Sequence, residues 1–296
     1  MNAYKILNLK NDPENAAVSD FAENALRTRF KESIYDKFKE AVFRYELVQD
    51  GDSVCCCISG GKDSMLLAKL FQMFRKENEI DFKLDFLIMD PGYSPLNRQM
   101  IEHNAAILSI PAKIFETDIF SSVFNVNKNP CYLCARMRRG HLYKNAGNLD
   151  CNKIALGHHF DDIIETTLMG MVYGGQIQTM MPKLHSTNFP GMELIRPLYL
   201  VNESDIIAWR DHCGLKFIQC ACRFTEKASQ CEEEENISKR KEIKSLIAEL
   251  NERDPNVRAN IFNSTENVNL DKVMLYKDNR SERYFLDGFD LPDETY

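Results

Sequence analysis

A glycine-rich segment with one lysine, Ser59–Ser64 (SGGKDS), constrains what this chain can fold into more than any other feature. It follows the apolar run Val54–Ile58, which has the length of a strand, and precedes apolar residues at helical spacing over Leu66–Phe74. At a strand–turn–helix junction, glycines let the backbone approach an anion, and the N–H groups of the helix start point at it. Lys62 adds a mobile positive charge, but the segment lacks the residue spacing of a Walker A motif. It therefore predicts a phosphate-binding turn of another class.

Three further strands are predicted downstream, with helices between them. Their bounds are Leu84–Asp90, Ala112–Phe115 and Lys153–Gly157. Helical periodicity over residues 95–108 separates the first two. The alternation predicts an α/β fold, a parallel sheet with helices on both faces, in which ligands bind at the carboxyl ends of the strands. Asp90, Gly157 and His158 come at such ends, as does the predicted phosphate-binding turn.

The regions outside this sheet are predicted to be mainly helical. Residues 16–48 have the pattern of a long amphipathic helix that is open to a break, and residues 203–213 and 237–251 also read as helices. We interpret the acidic run 232–235, which precedes a basic run at 239–241, as part of a solvated, dipole-matched helix. From Ser264 onward the chain is polar and is expected to be irregular. The predicted division is an N-terminal helical segment (1–48), a nucleotide-binding domain (49–225), and a C-terminal helix with a weakly ordered tail (226–296).

Composition limits the compartment and the class of partner. The chain has 296 residues, 44% of them hydrophobic, and no apolar run of membrane-spanning length. Its first residues, Met1–Lys5, lack the apolar core of a signal peptide, so we expect a cytoplasmic protein without a membrane partner. The ten cysteines are then expected to be metal ligands, catalytic thiols or core side chains rather than disulfides. The net charge of −7 provides no bulk attraction to nucleic acid, so RNA binding needs a local basic patch.

Two pairs of closely spaced cysteines are the candidates for a metal site. The first pair is Cys131 and Cys134 in a C-x-x-C motif, and the second is Cys220 and Cys222. The four cysteines together could bind one zinc ion. An iron–sulfur cluster held by only three of them would leave one iron without a cysteine ligand and open for chemistry. Sequence spacing does not separate these options, and buried thiols without a metal are a third interpretation. By contrast, Cys55–Cys57 lie in the first predicted strand and are expected to fill the core.

The segment Gly157–Thr166 follows the last predicted strand and begins a helix. Helical spacing places His158 with Asp162, and Asp161 with Glu165, on shared faces. Carboxylates at a nucleotide site can hold Mg²⁺, although acids at a helix start also suit the helix dipole. Because a phosphate-binding turn lies upstream, we interpret this segment as part of the same nucleotide site.

Three motifs, taken in order, resemble the tRNA 2-thiocytidine synthetase family. They are SGGKDS at 59–64, the C-x-x-C with the following ARMRRG at 131–140, and ALGHHFDDI at 155–163. The first of them resembles the PP-loop, the pyrophosphate-binding signature of ATP pyrophosphatases. Shorter segments, YGG at 173–175, MPKL at 181–184 and IRPL at 195–198, are also similar to that family. The resemblance covers roughly residues 30–225.

The resemblance implies a sheet like that of the adenine nucleotide α-hydrolases, ATP with Mg²⁺, and a [4Fe–4S] cluster held by three cysteines. It also implies adenylation of the C2 oxygen of a cytidine in the tRNA anticodon loop and replacement of that oxygen by sulfur. The third cluster ligand is expected in QCAC at 219–222, where this chain departs from the family's Pro-Cys-x-x-Cys pattern. We favour Cys222 as the ligand that joins Cys131 and Cys134, with Cys220 as the alternative.

On this hypothesis Lys62 and Asp63 are the catalytic residues. The predicted nucleotide-binding residues are Ser59, Gly60, Gly61, Lys62, Asp63, Ser64, Asp90, Gly157, His158, Asp161 and Asp162. The residues expected to contact RNA phosphate are Arg136, Arg138, Arg139 and Lys183. The expected partners are tRNA and a sulfur donor such as a cysteine desulfurase, and the oligomeric state stays open between a monomer and a homodimer. Two alternatives remain: thiolation of another base or of a non-tRNA substrate, and a zinc-stapled nucleotide-binding protein without catalysis.

Overall fold

A seven-stranded, mostly parallel sheet forms the centre of the protein. The computed structural model describes residues 4–7, 12–123, 130–218, 233–278 and 280–287. The strands of this sheet are β1 Lys5–Ile6, β2 Ser53–Ile58, β3 Lys83–Asp90, β4 Ala112–Glu116, β5 Lys153–Ala155, β6 Lys183–His185 and β7 Glu193–Ile195. Their order is β1-β4-β3-β2-β5-β7-β6, with β1 and β6 antiparallel at the two edges and all other pairs parallel. The predicted α/β fold is therefore confirmed.

Helices connect the strands and cover both faces of the sheet. Within the described residues they are α1 Pro13–Arg27, α2 Asp36–Arg44, α3 Lys62–Glu77, α4 Pro95–Ile107, α5 Ile119–Val123, α6 Pro130–Gly147, α7 Phe160–Gly174, α8 Glu203–His212, α9 Glu233–Arg253 and α10 Val257–Asn263. The helix predicted over 16–48 is broken, because a π-helical turn at Lys31–Tyr35 separates α1 from α2. None of the described helices is both long and apolar enough to cross a membrane.

The chain after Ser264 is more regular than its sequence predicts. A 3₁₀ turn, Leu270–Lys272, precedes a hairpin of β8 Leu275–Lys277 and β9 Glu282–Tyr284. Strands this short carry no readable apolar alternation, which is why the expectation of irregular chain is wrong here. Glu266 attaches this region to α2, since its carboxylate lies 2.7 Å from Arg44 Nη2. The three-part division of the chain stays a prediction.

Strand β2 separates two apolar cores, because successive side chains of a strand point to opposite faces. Cys56 and Ile58 belong to the larger core, which also contains the apolar side of α3. Cys55 and Cys57 belong to the smaller core, together with Tyr143 of α6. All three cysteines are buried, which confirms the expectation that they fill the core.

Glu23 joins α1 to α3 through a cluster of ion pairs. Its carboxylate lies 3.4 Å from Lys69 Nζ, 2.8 Å from Lys76 Nζ and 3.1 Å from Arg27 Nη2. Lys69 is only 2% exposed, and its Nζ also donates to Ser19 Oγ at 2.7 Å. Burial alone would raise the pKa of Glu23, but hydrogen bonds from Lys76 and Arg27 and the charge of Lys69 outweigh burial and lower it to about 2.

Replacing Glu23 with Gln should destabilise the protein at neutral pH by about 1–2 kcal/mol, less than the pKa change alone implies because water screens part of the cluster. The folded pKa is depressed, so the stabilisation is present above the unfolded pKa of 4.5 and is lost as the pH falls towards 2. The difference between Glu23→Gln and the wild type should therefore shrink across that window in urea denaturation curves. Glu14→Gln, an exposed acid of the same helix, is the control. A pH-independent difference would contradict this account.

Candidate functional site

The turn from Ser59 to Gly61 links β2 to α3 and requires glycine at one position. Gly60 has a φ of +90°, and a Cβ there would lie 2.5 Å from Cγ1 of Ile101. Gly61 is the residue before α3 and has no side chain to cap the helix, so it leaves the N–H groups at the start of α3 without a cap of its own. Ser64 Oγ accepts from Ser59 N at 3.1 Å and donates to Gly61 O at 3.0 Å, which closes the turn. The turn thus has the strand–turn–helix geometry that suits phosphate.

Lys62, the first residue of α3, is held between two carboxylates. Its Nζ lies 3.1 Å from Asp63 Oδ1 and 3.0 Å from Glu203 Oε1 at the start of α8. Burial lowers the pKa of Lys62, but the charges of Asp63 and Glu203 outweigh burial and raise it. The lysine is therefore a protonated cation at neutral pH. Asp63 Oδ1 is buried and accepts no well-directed hydrogen bond among the described residues.

The chain that leaves β5 packs directly on this turn. A Cβ at Gly157 would lie 3.0 Å from the carbonyl carbon of Asp63 and 3.0 Å from the backbone nitrogen of Ser64, so a larger residue would push the turn away. His159, which is 6% exposed, precedes α7, and its Nε2 lies 3.9 Å from Asp63 Oδ1 and 3.6 Å from Asp162 Oδ2. The starts of α3 and α7 are therefore held against each other.

His158 is neutral at physiological pH. Burial, with the nearby charge of Arg196, lowers the pKa of His158 to about 4. Its Nδ1 is buried and has no hydrogen-bond partner in the described part of the chain. A neutral imidazole carries one donor and one acceptor, so His158 can bind a polar ligand atom of either kind.

The long helix α9 supplies cations to the acids around the turn. Arg240 bridges α9 and α7, with Nε 2.8 Å from Glu165 Oε2 and Nη2 2.5 Å from Asp162 Oδ1. Lys244, one helical turn further on, lies 2.5 Å from Glu203 Oε2. Burial alone would raise the pKa of Glu203, but hydrogen bonds from Lys244 and Lys62 outweigh it and lower the pKa to about 2. Glu203 is therefore ionised, and Asp162, Glu165 and Glu203 each have a cationic partner on α9.

Arg258 of α10 pairs with Asp161, another of the predicted nucleotide-binding carboxylates. Arg258 Nη1 lies 2.8 Å from Asp161 Oδ1, and the backbone N–H of Glu203 donates to Asp161 Oδ2 at 2.8 Å. Burial raises the pKa of Asp161, but these two interactions outweigh it and leave the pKa lowered. Asp161 therefore joins α7, α8 and α10.

Glu203, Lys244 and Arg258 belong to no sequence motif and are not among the predicted site residues. The basic run at 239–241 is a usable signal in the sequence, but no role is predicted for its cations. The structure gives Arg240 a role, because it forms ion pairs with two acids of α7.

A cavity of about 360 Å³ lies between this turn, the ends of β2 and β5, and α6. We refer to it as the PP-loop cavity. The predicted site residues on its wall are Ser59, Asp63, Ser64, Arg138, Arg139, Gly157, His158 and Asp162. Its volume lies in the roughly 300–1,000 Å³ range of small-molecule sites. The structure thus brings the predicted phosphate-binding turn and two of the predicted RNA-binding arginines to one cavity.

Seven of the predicted nucleotide- and RNA-binding residues do not line this cavity: Gly60, Gly61, Lys62, Asp90, Asp161, Arg136 and Lys183. The first three belong to the turn itself, and Asp161 is paired with Arg258. Asp90 accepts hydrogen bonds from the backbone of its own turn and pairs with Arg98. Lys183 Nζ donates to Glu46 O at 3.0 Å, and Arg136 points to a separate cavity. Asp90 and Lys183 therefore have structural partners, and their predicted binding roles stay predictions.

The predicted metal ligands fall only in part within the described residues. Cys134 is a half-buried residue of α6, and Ala135 beside it lines the PP-loop cavity. The side chain of Cys131 and all of Cys220 and Cys222 lie outside the described residues. The carbonyl oxygen of Ile218, the last described residue before 219–222, lies 3.9 Å from where a Gly61 Cβ would be, so Ile218 lies beside the turn. Within the described residues no three potential ligands cluster, and the metal site stays a prediction.

Comparison with known proteins agrees with these motifs. The family of PP-loop domains matches residues 25–223. The chain is 33% identical to the tRNA-cytidine(32) 2-sulfurtransferase of Anaeromyxobacter sp. (strain Fw109-5), covering 77% of this chain and 73% of that protein. It is 32% identical to the protein of that name from Paraburkholderia phytofirmans, covering 94% of this chain and 85% of that protein. This chain belongs to the tRNA-cytidine(32) 2-sulfurtransferase family. The resemblance inferred from the sequence is confirmed.

A solved structure shares the fold of this tRNA-cytidine(32) 2-sulfurtransferase family member. The U34-tRNA thiolase NcsA from Methanococcus maripaludis, determined with its [4Fe-4S] cluster, aligns with a TM-score of 0.60. The alignment has 20% sequence identity and covers 78% of this chain and 76% of NcsA. Because the sequence identity is this low, the similarity shows a shared fold alone.

Gly157→Ala should weaken ATP binding by about ten-fold or more, because the added Cβ would displace the backbone of the phosphate-binding turn. Calorimetric titration with a non-hydrolysable ATP analogue measures the effect. Gly147→Ala is the matched control, since a Cβ there would meet just one described atom, Met192 Sδ at 3.9 Å. An unchanged affinity in Gly157→Ala, with the fold intact by circular dichroism, would refute this role for the close approach.

Proposed function

We propose that this protein is an ATP-dependent tRNA sulfurtransferase that replaces the C2 oxygen of a cytidine in the anticodon loop with sulfur. The observation that best supports this proposal is the PP-loop cavity, where the phosphate-binding turn faces the helix that contains Cys134, Arg138 and Arg139. Membership of the tRNA-cytidine(32) 2-sulfurtransferase family supports the proposal. We propose cytidine 32, which the names of those relatives specify, as the target.

The first half-reaction activates the C2 oxygen. In our proposal the triphosphate of ATP lies over the turn, where it accepts hydrogen bonds from the N–H groups of α3 and from the hydroxyl groups of Ser59 and Ser64. Lys62 exchanges its contact with Glu203 for a phosphate oxygen. The C2 oxygen attacks the α-phosphorus, the bond from that phosphorus to the bridging oxygen breaks, and pyrophosphate leaves. Such a transfer needs mainly positioning and charge neutralisation, which the turn and Lys62 provide.

Asp63 and Asp162 are the residues that we propose to hold Mg²⁺. The ion, when bound, shields the triphosphate charge and favours departure of pyrophosphate. Asp63 fits this role because its buried Oδ1 lacks a well-directed hydrogen bond among the described residues. Asp162 lies on the same cavity wall and is paired with Arg240. Asp161 suits the ion less well, since Arg258 and the Glu203 N–H already occupy both of its oxygens.

The second half-reaction delivers sulfur to the activated carbon. A carbon–sulfur bond forms at C2, the C2–oxygen bond breaks, and AMP leaves with that oxygen. A [4Fe–4S] cluster with one open iron supplies the sulfide when it is bound. Cys131, Cys134 and Cys222 would hold it, with Cys220 as the alternative third ligand. This fits the arrangement in which Cys134 adjoins the cavity wall and Ile218, which precedes the other cysteine segment, lies beside the turn. Because each turnover consumes one sulfur atom, a donor such as a cysteine desulfurase must replace it.

Lys62→Ala should reduce tRNA-dependent pyrophosphate release by at least about 100-fold, because the variant lacks the cation that stabilises the leaving phosphates. Phosphate detection in the presence of an inorganic pyrophosphatase measures the rate. Lys83→Ala, an exposed lysine at the start of β3, removes the same charge away from the cavity and should behave as the wild type. Release that persists in Lys62→Ala would disprove the assignment of the turn.

Anaerobic iron and sulfide analysis tests the cluster and its third ligand together. The wild type should contain about four of each per chain, and Cys222→Ala should contain far less. Cys220→Ala should keep its iron, and so should the control Cys213→Ala at the end of α8. Stoichiometric zinc without iron would instead favour a zinc-stapled nucleotide-binding protein. Loss of iron in Cys220→Ala but not in Cys222→Ala would make Cys220 the third ligand.

A further inference from the structure

A second cavity adjoins the PP-loop cavity on the next face of α6. Its volume is about 440 Å³, and it lies between α6 and the turn that joins β6 to β7. From α6 it is lined by Arg136, Arg139, Gly140 and Tyr143, which share one helical face. Residues 184–189 form the opposite wall. We refer to it as the hairpin cavity.

The hairpin cavity carries positive charge that no carboxylate of the described residues neutralises. Neither Arg136 nor Arg139 has a carboxylate within 4.0 Å in the described part of the chain, in contrast to the paired cations around Lys62. Arg196 lies near Arg139 and is 5% exposed, and burial together with the charge of Arg139 lowers its pKa to about 10. In a chain with a net charge of −7, such a local excess of positive charge favours an anionic ligand.

Both walls carry aromatic groups, and the wall formed by residues 184–189 adds polar ones. The rings of Tyr143 and Phe189 are stacked, with centroids 5.1 Å apart and planes at 16°. Ser186 Oγ accepts from Phe189 N at 3.2 Å and so fixes the turn. The side chains of Thr187 and Asn188 are exposed and form no hydrogen bond with other described residues. Guanidinium groups on α6, the ring of Phe189 on the facing wall, and polar side chains without a described partner suit one phosphate with one base.

We propose that the hairpin cavity binds a second nucleotide of the substrate RNA, next to the nucleotide that reacts in the PP-loop cavity. This inference rests on the proposed function. Arg139 and Ala135 line both cavities, so the two bound nucleotides would lie on adjoining faces of α6. The phosphate between them would then pass Arg139. Splayed single-stranded bases held in separate pockets are the usual basis of sequence-specific RNA recognition.

The test uses an anticodon stem-loop RNA and a series of variants of it, each lacking the base of one loop nucleotide. In the wild type, removal of the base that neighbours the target should weaken binding by about ten-fold in fluorescence anisotropy. Asn188→Trp fills the cavity from an exposed turn position and should abolish that penalty while penalties elsewhere in the loop persist. Thermal melting by circular dichroism verifies that the variant is folded.

A matched pair on α6 gives a second measurement. Arg136 lines only the hairpin cavity and Arg138 only the PP-loop cavity, so Arg136→Ala should reduce the penalty of the neighbouring abasic nucleotide and Arg138→Ala should retain it. Arg253→Ala, a 72% exposed side chain on α9, controls for the loss of one charge. Uniform weakening by both α6 variants, or a penalty that survives in Asn188→Trp, would overturn the inference.

Two further outcomes are distinguishable from these. If AMP alone binds the wild type and Asn188→Trp removes that binding, the hairpin cavity is a site for free nucleotides and the inference fails. If the wild type neither binds the RNA nor releases pyrophosphate in its presence, the proposed function fails, and the second-nucleotide inference fails with it.

Discussion

Strands β2 and β5 lie side by side and parallel at the centre of the sheet, with Cys56 opposite Ala155. This pairing brings the chain beyond each strand to the same place, so that Gly157 touches the backbone at Asp63 and Ser64. Two helix N-termini, those of α3 and α7, consequently converge on one cavity. Their dipoles contribute positive potential at this cavity although the chain is acidic overall. The shape of the PP-loop cavity therefore depends on how closely Gly157 packs against the phosphate-binding turn.

Charge is distributed unevenly around α6 and α7. Near α7 each acid has a cationic partner, as Arg240 has with Asp162, and the pairs are partly buried. On α6 the arginines 136, 138 and 139 have no carboxylate partner in the described part of the chain, in contrast to Arg240 and Arg258. A phosphate that reaches Lys62 must compete with carboxylates already in place, whereas a phosphate that reaches α6 meets uncompensated charge. We therefore expect ATP affinity to depend on Mg²⁺ and RNA affinity to depend on salt.

Much of the fold could be predicted because its signals are local. The apolar run of β2 and the glycine turn lie within one stretch of chain, and parallel pairing follows from the alternation of strands and helices. The edge strands β1 and β6 escaped prediction because two or three residues carry no periodicity. The partners of Asp161 and Asp162 also escaped, since Arg258 and Arg240 are distant in sequence and contact them only through tertiary packing. Asp90 shows a limit of prediction from strand ends. An acid at the end of a strand can accept hydrogen bonds from the backbone of its own turn, as Asp90 does.

Helices α9 and α10 begin after residue 223, where the match to the PP-loop domain family ends. They nevertheless carry Arg240, Lys244 and Arg258, the counter-ions of the carboxylates beside the phosphate-binding turn. Residues 25–223 transplanted onto another scaffold would inherit those acids with too few cations, and the surplus negative charge would repel a nucleotide. The electrostatic boundary of this enzyme therefore lies beyond the boundary of its conserved domain.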